Sequence, residues 1–309
     1  MKLIYQIKQF YDTLSLVYIG VFIMSTKLNR IKKVGFILRP DSPNISSLYN
    51  DIKSKFEQKD IEVLLDNKSA EMIGIKGIEF NQMCQKVDLL VSLGGDGTLL
   101  SLVRKSYGYD KPILGINAGN LGFLADTPIH LVNNMIDKLV SGDYRIDNRM
   151  LIKGYIEGKS GKKDFYAFND VVITRPTISH MVEIDASIDN DWFNTYRGDG
   201  LLISTPTGST AYNLSLGGPI MYPLSKVFIM TPIAPHSLTQ RPLVVPSDFT
   251  INLTSHNELV IMVDGQDDYI IKATEKLVIQ GASISAKLLH AKKHSYFKVL
   301  REKLSWGDE

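Results

Sequence analysis

The sequence predicts an α/β domain with a parallel sheet, followed by a β-rich domain. Four short apolar segments alternate with helical stretches between Val34 and Val140, a pattern typical of a sheet covered by helices on both faces. After Tyr144 the helical periodicity nearly disappears, and alternating apolar and polar residues replace it. The length of 309 residues agrees with two domains.

The elements of the first domain follow one another closely. We predict strands at 34–38, 61–65, 87–93 and 113–116, and helices at 46–56, 98–107 and 130–140. The segment 87–93 is apolar almost throughout, as expected of a strand that is buried on both faces. Gly142 closes the last helix.

The second domain reads as a series of short strands. Residues 181–189 alternate cleanly, which is typical of a half-buried antiparallel strand. Asn190-Asp191 is the predicted hairpin turn before a strand at 192–197. Further strands are predicted at 165–174, 226–231, 250–254, 259–264 and 276–280.

Composition excludes several classes of protein. The apolar share of 44% and the charged share of 22% are ordinary globular values, so disordered, collagen-like and coiled-coil chains are excluded. The net charge of only +2 argues against a dedicated nucleic-acid binder. The single cysteine, Cys84, excludes a disulfide scaffold and fits a reducing cytosol. We therefore expect a cytoplasmic protein with no nucleic-acid partner.

The N-terminus contains an apolar run, residues 14–24. A membrane-spanning helix needs about 20 apolar residues, so no membrane partner is expected. The alternative is a signal peptide, but no small-residue cleavage site follows the run. Met24 resembles a natural start, and we interpret the first 23 residues as a non-essential extension or as sequence upstream of the true start.

A glycine-rich turn is the sharpest local signal. Gly94, Gly95, Asp96, Gly97 and Thr98 follow a buried strand and open a helix. Backbone N–H groups at such a turn bind phosphates at the carboxyl edge of an α/β sheet, and glycine lets the backbone approach them. The alternative is a tight strand-to-helix turn with a capping aspartate. The standard P-loop and the protein-kinase motifs are absent.

An aspartate within a phosphate-binding turn adds negative charge where the ligand is already negative. Two roles explain Asp96: it holds a metal ion, or it accepts a proton from an attacking hydroxyl. Both roles belong to phosphoryl transfer, and from the residues alone both remain open.

Three further clusters contain small polar residues and glycines. They are residues 117–123 after the fourth strand, 197–200, and the hydroxyl-rich run 204–212 that leads to 217–219. Such residues form either a long surface loop or a site that binds a ligand with several hydroxyl groups. We favour the second interpretation.

Together these segments resemble the NAD kinase family. The turn at 94–98 is similar to a signature shared with 6-phosphofructokinases and with diacylglycerol and sphingosine kinases. The segments GINAGNLGFL (115–124), FND (168–170), RGDGLLISTPTGSTAYNLSLGGP (197–219), PHSLTQRPLVVP (235–246) and DGQ (264–266) resemble NAD kinases specifically. A lipid or sugar kinase of the same superfamily is disfavoured because lipid kinases lack the TPTGSTAY block. A non-catalytic NAD-binding regulator is disfavoured by the intact Asp96.

The resemblance implies a reaction and a set of site residues. The γ-phosphoryl group of ATP passes to the 2′-hydroxyl of the adenosine ribose of NAD, Mg²⁺ or another divalent cation accompanies ATP, and Asp96 is the catalytic proton acceptor. The implied NAD-binding residues are Asp96, Gly97, Asn169, Asp170, His180, Arg197, Asp199, Thr210, Ala211, Tyr212, Asn213, Leu214, Ser215, Ala234 and Gln266. The implied phosphate loop comprises Gly94, Gly95, Gly97, Thr98 and Asn120.

The resemblance also implies an architecture. It consists of an extension (1–26), an α/β nucleotide-binding domain (27–144), a β-rich NAD-binding domain (145–285) and a segment (286–309) that returns to the first domain. Subunits would pair through the β-rich domain as a homodimer or homotetramer. The chain departs from the family at Asp170, where glutamate is usual, and at Gly198, where serine is usual.

Two interpretations concern residues outside these motifs. His290 and His294 are four residues apart among lysines, and we expect them in a solvated basic tail. Arg104 is expected to be a surface charge.

Overall fold

The first half of the chain folds as a parallel sheet with helices on both faces. The computed structural model describes residues 30–119, 121–159, 161–177 and 181–307. In chain order the elements are β1 (Lys33–Leu38), α1 (Ile45–Glu57), β2 (Glu62–Leu65), α2 (Asn67–Met72), α3 (Phe80–Lys86), β3 (Leu89–Gly94), α4 (Asp96–Ser106), β4 (Pro112–Asn117), β5 (Thr127–Pro128) and α5 (Val132–Ser141). The strand order β2-β1-β3-β4 confirms the predicted parallel sheet.

Two apolar cores sandwich this sheet. One contains residues of β1, β3, α1 and α5, and the other contains residues of α3 and α4. The strands are short and buried, as predicted from their apolar sequences. Helices α2 and α3 escaped prediction because each is only two turns long or less and shows little periodicity.

The second half consists mainly of strands. They are β6 (Tyr144–Gly158), β7 (Gly161–Ala167), β8 (Asp170–Thr174), β9 (Val182–Ile188), β10 (Asp191–Gly198), β11 (Gly200–Ser204), β12 (Val227–Ile233), β13 (Leu243–Pro246), β14 (Ile251–Thr254), β15 (Leu259–Val263), β16 (Asp267–Ile271) and β17 (Lys276–Ala291). The helices are α6 (Tyr212–Ser215) and α7 (Tyr296–Leu304). A six-stranded sheet, β13-β12-β11-β8-β15-β16, shares an apolar core with β6, β7, β9, β10, β14 and β17.

Strand β17 belongs to both halves. It pairs antiparallel with β6 and β14, and its residues Lys287 and Leu288 pair in parallel with β4. The sheet of the first half therefore continues into the β-rich half as one sheet of eleven strands. The sequence predicted only residues 276–280 of this strand, because an irregularity between Gly281 and Ser285 breaks the alternation.

Two other predicted elements are corrected. Residues 165–174 form two strands rather than one, since the chain breaks at Phe168 and Asn169, where the backbone N–H groups turn toward a carboxylate described below. The hairpin turn lies at Asp189 and Asn190, one residue earlier than predicted. Both residues have positive φ (47° and 73°), as the favoured two-residue hairpin turns require.

Some sequence predictions fall outside the described residues. These are the interpretation of the extension 1–26, the assignment of Asn120 to the phosphate loop and the assignment of His180 to NAD binding. Among the helices that the structure does describe, none has the length and apolar character to cross a membrane.

Candidate active site

The glycine turn connects β3 to α4 at the carboxyl edge of the sheet. Gly94 ends β3, and a Cβ there would lie 2.4 Å from Oγ1 of Thr98, so only glycine fits without a shift. Gly95 caps the helix, and Cβ atoms added at Gly95 or Gly97 would meet no described atom within 4 Å. The turn therefore presents a helix N-terminus beside open space, which is the arrangement that binds phosphate groups.

Asp96 is the first residue of α4, and the backbone of the loop after β4 holds its carboxylate. Oδ2 accepts the N–H of Phe123 at 2.8 Å, and Oδ1 accepts those of Leu124 and Ala125 at 3.0 and 2.9 Å. A Cβ added at Gly122 would lie 2.0 Å from Oδ1. The two loops predicted to be neighbours are therefore joined at this side chain.

A cleft of about 820 Å³ borders the turn. It lies where β1 and β3 are neighbours and their connections leave on opposite sides, the position at which open α/β sheets bind nucleotides. Gly97 and Thr98 form part of its wall, and the cationic side chains along it are Arg39, Lys68 and Lys105. Arg39, which directly follows β1, was not predicted as a site residue.

Asp264 organises the loop between β7 and β8. Its carboxylate accepts the backbone N–H groups of Phe168, Asn169 and Asp170 at 2.7–3.1 Å. These bonds use N–H groups that a continuous strand would pair with a neighbour, which explains the break at Phe168. The quoted DGQ motif was the sequence signal for this role, but the carboxylate was not predicted as a site residue.

Arg104 extends from α4 to the same loop region. Nη1 donates to Oε1 of Gln266 at 2.8 Å, Nη2 contacts Asp267, and Nε lies 3.4 Å from Oδ2 of Asp264. The side chain is 14% exposed, so the expectation of a surface charge is wrong. Because α4 begins at Asp96, one helix joins the glycine turn to the loop that contains Gln266.

Asp170 and Asp264 are buried beside each other. Burial, reinforced by the charge of Asp264, raises the pKa of Asp170 to about 7. Burial also raises the pKa of Asp264, against the opposing effects of the three backbone N–H groups and Arg104. Asn169 Oδ1 is buried without a hydrogen-bond partner in the described structure. This corner therefore offers a buried acceptor and a carboxyl group that titrates near neutral pH.

The hydroxyl-rich run is not a surface loop. Ser204, Thr205 and Ser209 are fully buried, and their hydroxyl groups donate to backbone carbonyl groups; that of Thr205 donates to Phe168 at 2.7 Å. The amide of Asn213 donates to the carbonyl groups of Ser209 and Pro219, and its oxygen accepts from Thr231. These side chains therefore fix the shape of the loop.

The predicted residues 210–215 differ in exposure. Tyr212 is 42% exposed, whereas Asn213 is fully buried. Thr210, Ala211 and Leu214 are partly exposed, and Ser215 is exposed.

Arg197 and Asp199 lie where β10 leads into β11. Arg197 is exposed and pairs with Glu183 at 2.9 Å, and Asp199 pairs with Arg175 at 3.0 Å. A Cβ added at Gly198 would lie 2.7 Å from the carbonyl oxygen of Ala234, so the serine usual in the family would be crowded here. Ala234 itself has a positive φ of 43°. The described ion pairs of Arg197 and Asp199 are thus with residues of adjacent β-rich segments, Glu183 in β9 and Arg175 after β8, and not with Asp96.

His290 and His294 do not form a solvated tail. His290 is 2% exposed and His294 is 17% exposed, and the Nδ1 atom of each faces Oδ2 of Asp126, at 2.7 and 3.0 Å. The expectation was wrong because His290 lies within β17, whose length the sequence did not reveal. Burial works to raise the pKa of Asp126, but the two histidines bring it below the usual value.

Two protein-family models match this chain, one in the α/β half and one in the β-rich half. Residues 34–144 match the family model "ATP-NAD kinase N-terminal domain", and residues 168–291 match "ATP-NAD kinase C-terminal domain". The NAD kinase of Wolinella succinogenes is 50% identical over 93% of this chain and 99% of its own length. That of Sulfurimonas denitrificans is 50% identical over 90% of this chain and 98% of its own length.

Two solved structures share the fold. Yeast NADH kinase complexed with NADH has a TM-score of 0.84 at 23% identity, covering 91% of this chain and 89% of that one. An NAD kinase from Archaeoglobus fulgidus in complex with ATP has a TM-score of 0.71 at 23% identity, covering 88% and 98%. At such identity the likeness establishes the fold alone.

Proposed function

The chain belongs to the ATP-NAD kinase family, and on that premise we propose that it transfers the γ-phosphoryl group of ATP to the 2′-hydroxyl of the adenosine ribose of NAD, with Asp96 as the general base. The observation that carries this proposal is the position of Asp96, a carboxylate at a glycine-lined helix N-terminus, bordered by a nucleotide-sized cleft. Phosphoryl transfer needs little more than positioning, charge neutralisation and a proton acceptor.

The hydrogen bonds of Asp96 favour one of its oxygens as the base. A carboxylate oxygen has two lone pairs. Among the described residues, Oδ1 accepts two N–H groups, whereas Oδ2 accepts one, that of Phe123. Oδ2 therefore has a lone pair for the ribose hydroxyl. The hydroxyl proton passes to it as the ribose oxygen bonds to the γ-phosphorus and the bond to the ADP oxygen breaks.

The cleft beside Gly97 is the proposed position of ATP. Its volume of about 820 Å³ suits a nucleotide, and Arg39, Lys68 and Lys105 supply positive charge for phosphate groups. Asp66, Glu71 and Glu79 also line it, but they do not form a group of three converging ligands within the described residues. That donor set fits Mg²⁺ held mainly by phosphate oxygens and water, as is usual for this ion.

The proposed NAD site lies between the Asp264 loop and the hydroxyl-rich run. Three groups provide polar contacts there in this proposal: the carboxyl group of Asp170, the side chain of Gln266, and Oδ1 of Asn169, which has no hydrogen-bond partner among the described residues. Gly97, Arg197, Asp199, Ala234 and residues 210–215 remain proposed contacts, as does His180, which lies outside the described residues. The internal bonds of Asn213 indicate that this residue acts by shaping its loop.

The proposed domains are those of the sequence analysis: 1–26, 27–144, 145–285 and 286–309, with the last returning to the first domain. The pairing of Lys287 and Leu288 with β4 supports that return.

We also propose a cytoplasmic location and a homodimer or homotetramer. Strand β10 supports an oligomer, because it lies at the edge of the large sheet and exposes 70% of Trp192 and 39% of Phe193. Mixed oligomers of Asp96→Asn and Arg197→Ala subunits should regain activity if neighbours share a site.

The test of function is NADP formation from Mg-ATP and NAD, measured with an NADP-specific dehydrogenase. For Asp96→Asn we expect kcat to fall by on the order of 10²–10⁴, while dissociation constants for NAD and ATP measured by calorimetry hold or tighten, because one negative charge is lost. A metal-ligand role predicts instead that high Mg²⁺ or Mn²⁺ restores the rate. A kcat within a few-fold of wild type would exclude Asp96 as the base.

A further inference from the structure

Three ligand-type side chains converge where β17 ends and the C-terminal helix begins. Asp126 precedes β5, His290 lies in β17 and His294 precedes α7. One ligand atom of each residue, a carboxylate oxygen or an imidazole nitrogen, lies within 4.8 Å of those of the other two. The two imidazole rings are stacked, with centroids 4.8 Å apart and planes inclined by 14°.

The types of these three side chains are those that bind zinc. Two imidazole nitrogens and one carboxylate oxygen form a common ligand set for zinc, and three protein ligands leave one position for water. Neither histidine takes part in the proposed phosphoryl transfer, and His290 is an unusual choice for a buried packing position, since a leucine would fill the space without a polar atom.

We propose that Oδ2 of Asp126 and Nδ1 of His290 and His294 bind a divalent transition-metal ion, with Zn²⁺ favoured by the type and number of ligands. Zinc bonds of 2.0–2.2 Å in a tetrahedral site place ligand atoms about 3.3 Å apart. The distances from Asp126 to the two nitrogens, 2.7 and 3.0 Å, need to increase only by a few tenths of an ångström.

The surroundings of His290 support the site. Metal-bound histidines usually direct their other nitrogen to a carboxylate or carbonyl group. Nε2 of His290 is buried without a hydrogen-bond partner in the described structure and lies 3.6 Å from Oδ2 of Asp147. Arg145 and Arg149 pair with Asp147 at 3.1 and 3.4 Å, so the added charge of the ion is offset chiefly by Asp126.

An access route is also present. Asp126 and His294 line an open cleft of about 290 Å³ whose other walls include Lys298 and Glu302 of α7. An ion can therefore reach the ligands from solvent, and water can occupy the fourth position. The cleft is separate from the one proposed for ATP, since the lining residues differ.

The bound ion would connect the C-terminal helix to the catalytic turn. Asp126 directly follows Ala125, whose N–H donates to Oδ1 of Asp96. Asn117 of β4 also holds the carbonyl group of Ala125, at 3.1 Å. Metal binding at Asp126 would therefore make the position of this turn depend on the β17–α7 junction.

The test is Zn²⁺ binding to the full, tag-free chain after treatment with a chelator. We expect one ion per chain by elemental analysis, and a Co²⁺-substituted protein with the absorption of a tetrahedral site. His294→Gln should weaken Zn²⁺ binding at least about 100-fold, measured in competition with a chromophoric chelator. A loss of this size exceeds what is usual when the mutated residue only supports a ligand and does not itself bind the metal. His256→Gln, at an exposed histidine elsewhere, is the matched control and should leave affinity unchanged.

His294 is the least buried ligand, so its variant is the one most certain to fold, as circular dichroism would verify. Asp126→Asn tests the carboxylate in the same way. Failure of the wild-type chain to bind one Zn²⁺ would overturn the proposal. Equal affinities of wild type and His294→Gln would also overturn it. Each readout is independent of NADP formation, so the outcome does not depend on the proposed reaction.

Discussion

Asp96 is held on both oxygens, and glycine at position 122 makes this possible. The carboxylate occupies the space where any larger residue would place its Cβ, only 2.0 Å from Oδ1. The φ of Gly122 is not positive, so glycine is required here for space and not for backbone conformation. The position of the proposed base thus depends on the absence of a Cβ atom at residue 122.

Gly122→Ala should therefore displace the base while leaving it in the chain. We expect kcat to fall about 100-fold, the effect of a displacement near 1 Å, and the free energy of unfolding to fall by about 1–3 kcal/mol from overpacking. Gly108→Ala is the matched control, because a Cβ there meets no described atom within 4 Å. Steady-state kinetics and urea unfolding measure both. Wild-type kcat in Gly122→Ala would show that the turn adapts freely.

Asp170 provides a pH-dependent prediction. Its pKa is about 7 in the folded protein because of burial and the charge of Asp264, and near 3.9 in the unfolded chain. The folded state therefore holds the proton more tightly, so this group's contribution to stability is full below pH 4 and is lost as the pH rises through 7.

Asp170→Asn stays neutral at every pH. As the pH rises from 5 to 8, the wild type should therefore lose stability that the variant keeps. The urea midpoint of the variant should rise relative to that of the wild type over this range. Asp248→Asn, at an exposed carboxylate, is the control and should show no such shift. Parallel pH profiles of Asp170→Asn and wild type would contradict a raised pKa.

At the scale of elements, α4 connects two parts of the site. It begins at Asp96, and at Arg104 it reaches Asp264, Gln266 and Asp267. Phe168, in the loop that Asp264 organises, packs in the same apolar core as Leu99 and Leu102 of this helix, as does Phe80 of α3. The loop is therefore fixed to α4 by both packing and charge.

Arg104→Met keeps most of the apolar stem of the side chain and removes its charged guanidinium group. We expect KM for NAD to rise more than KM for ATP, because Gln266 and the Asp264 loop lose their support. We also expect the free energy of unfolding to fall by about 2–3 kcal/mol, because hydrogen bonds between charged groups are lost. Arg301→Met, on the exposed side of α7, is the control. An equal rise in both KM values would argue against a specific role at the NAD site.

Elements with strong local patterns could be predicted, and elements set by distant contacts could not. The β3–α4 turn was predictable because glycines and an apolar strand lie next to each other in the chain. The break between β7 and β8 was not, since it depends on Asp264, nearly a hundred residues away. Arg104 and His290 were misjudged for the same reason: their partners lie on other elements, at Gln266 and Asp126.

For the whole molecule, β17 makes the two halves one unit. Leu277 lies in the core of the β-rich half, and Leu288 lies in a core of the first half. Both are 1% exposed. A defect at either end of this strand should therefore affect the stability of both halves.

Leu288→Ala should cost about 2–5 kcal/mol and lower the urea midpoints of both halves together. Pulsed hydrogen exchange with mass spectrometry can follow peptides of β3 and β15 separately. Leu277→Ala, at the other end of the strand, is the matched variant and should produce the same joint shift. Separate midpoints for the two peptides would show that the halves unfold independently.

The position of β17 in the chain also has a consequence for biosynthesis. β4 leaves the ribosome long before its neighbour Lys287 and Leu288, by on the order of 10–30 s at usual translation rates. During that interval one edge of β4 has unpaired N–H and carbonyl groups, which favours association with other chains. The first domain can therefore complete its sheet only when synthesis is nearly finished, and nascent chains that stall before residue 276 should depend on chaperones to remain unaggregated.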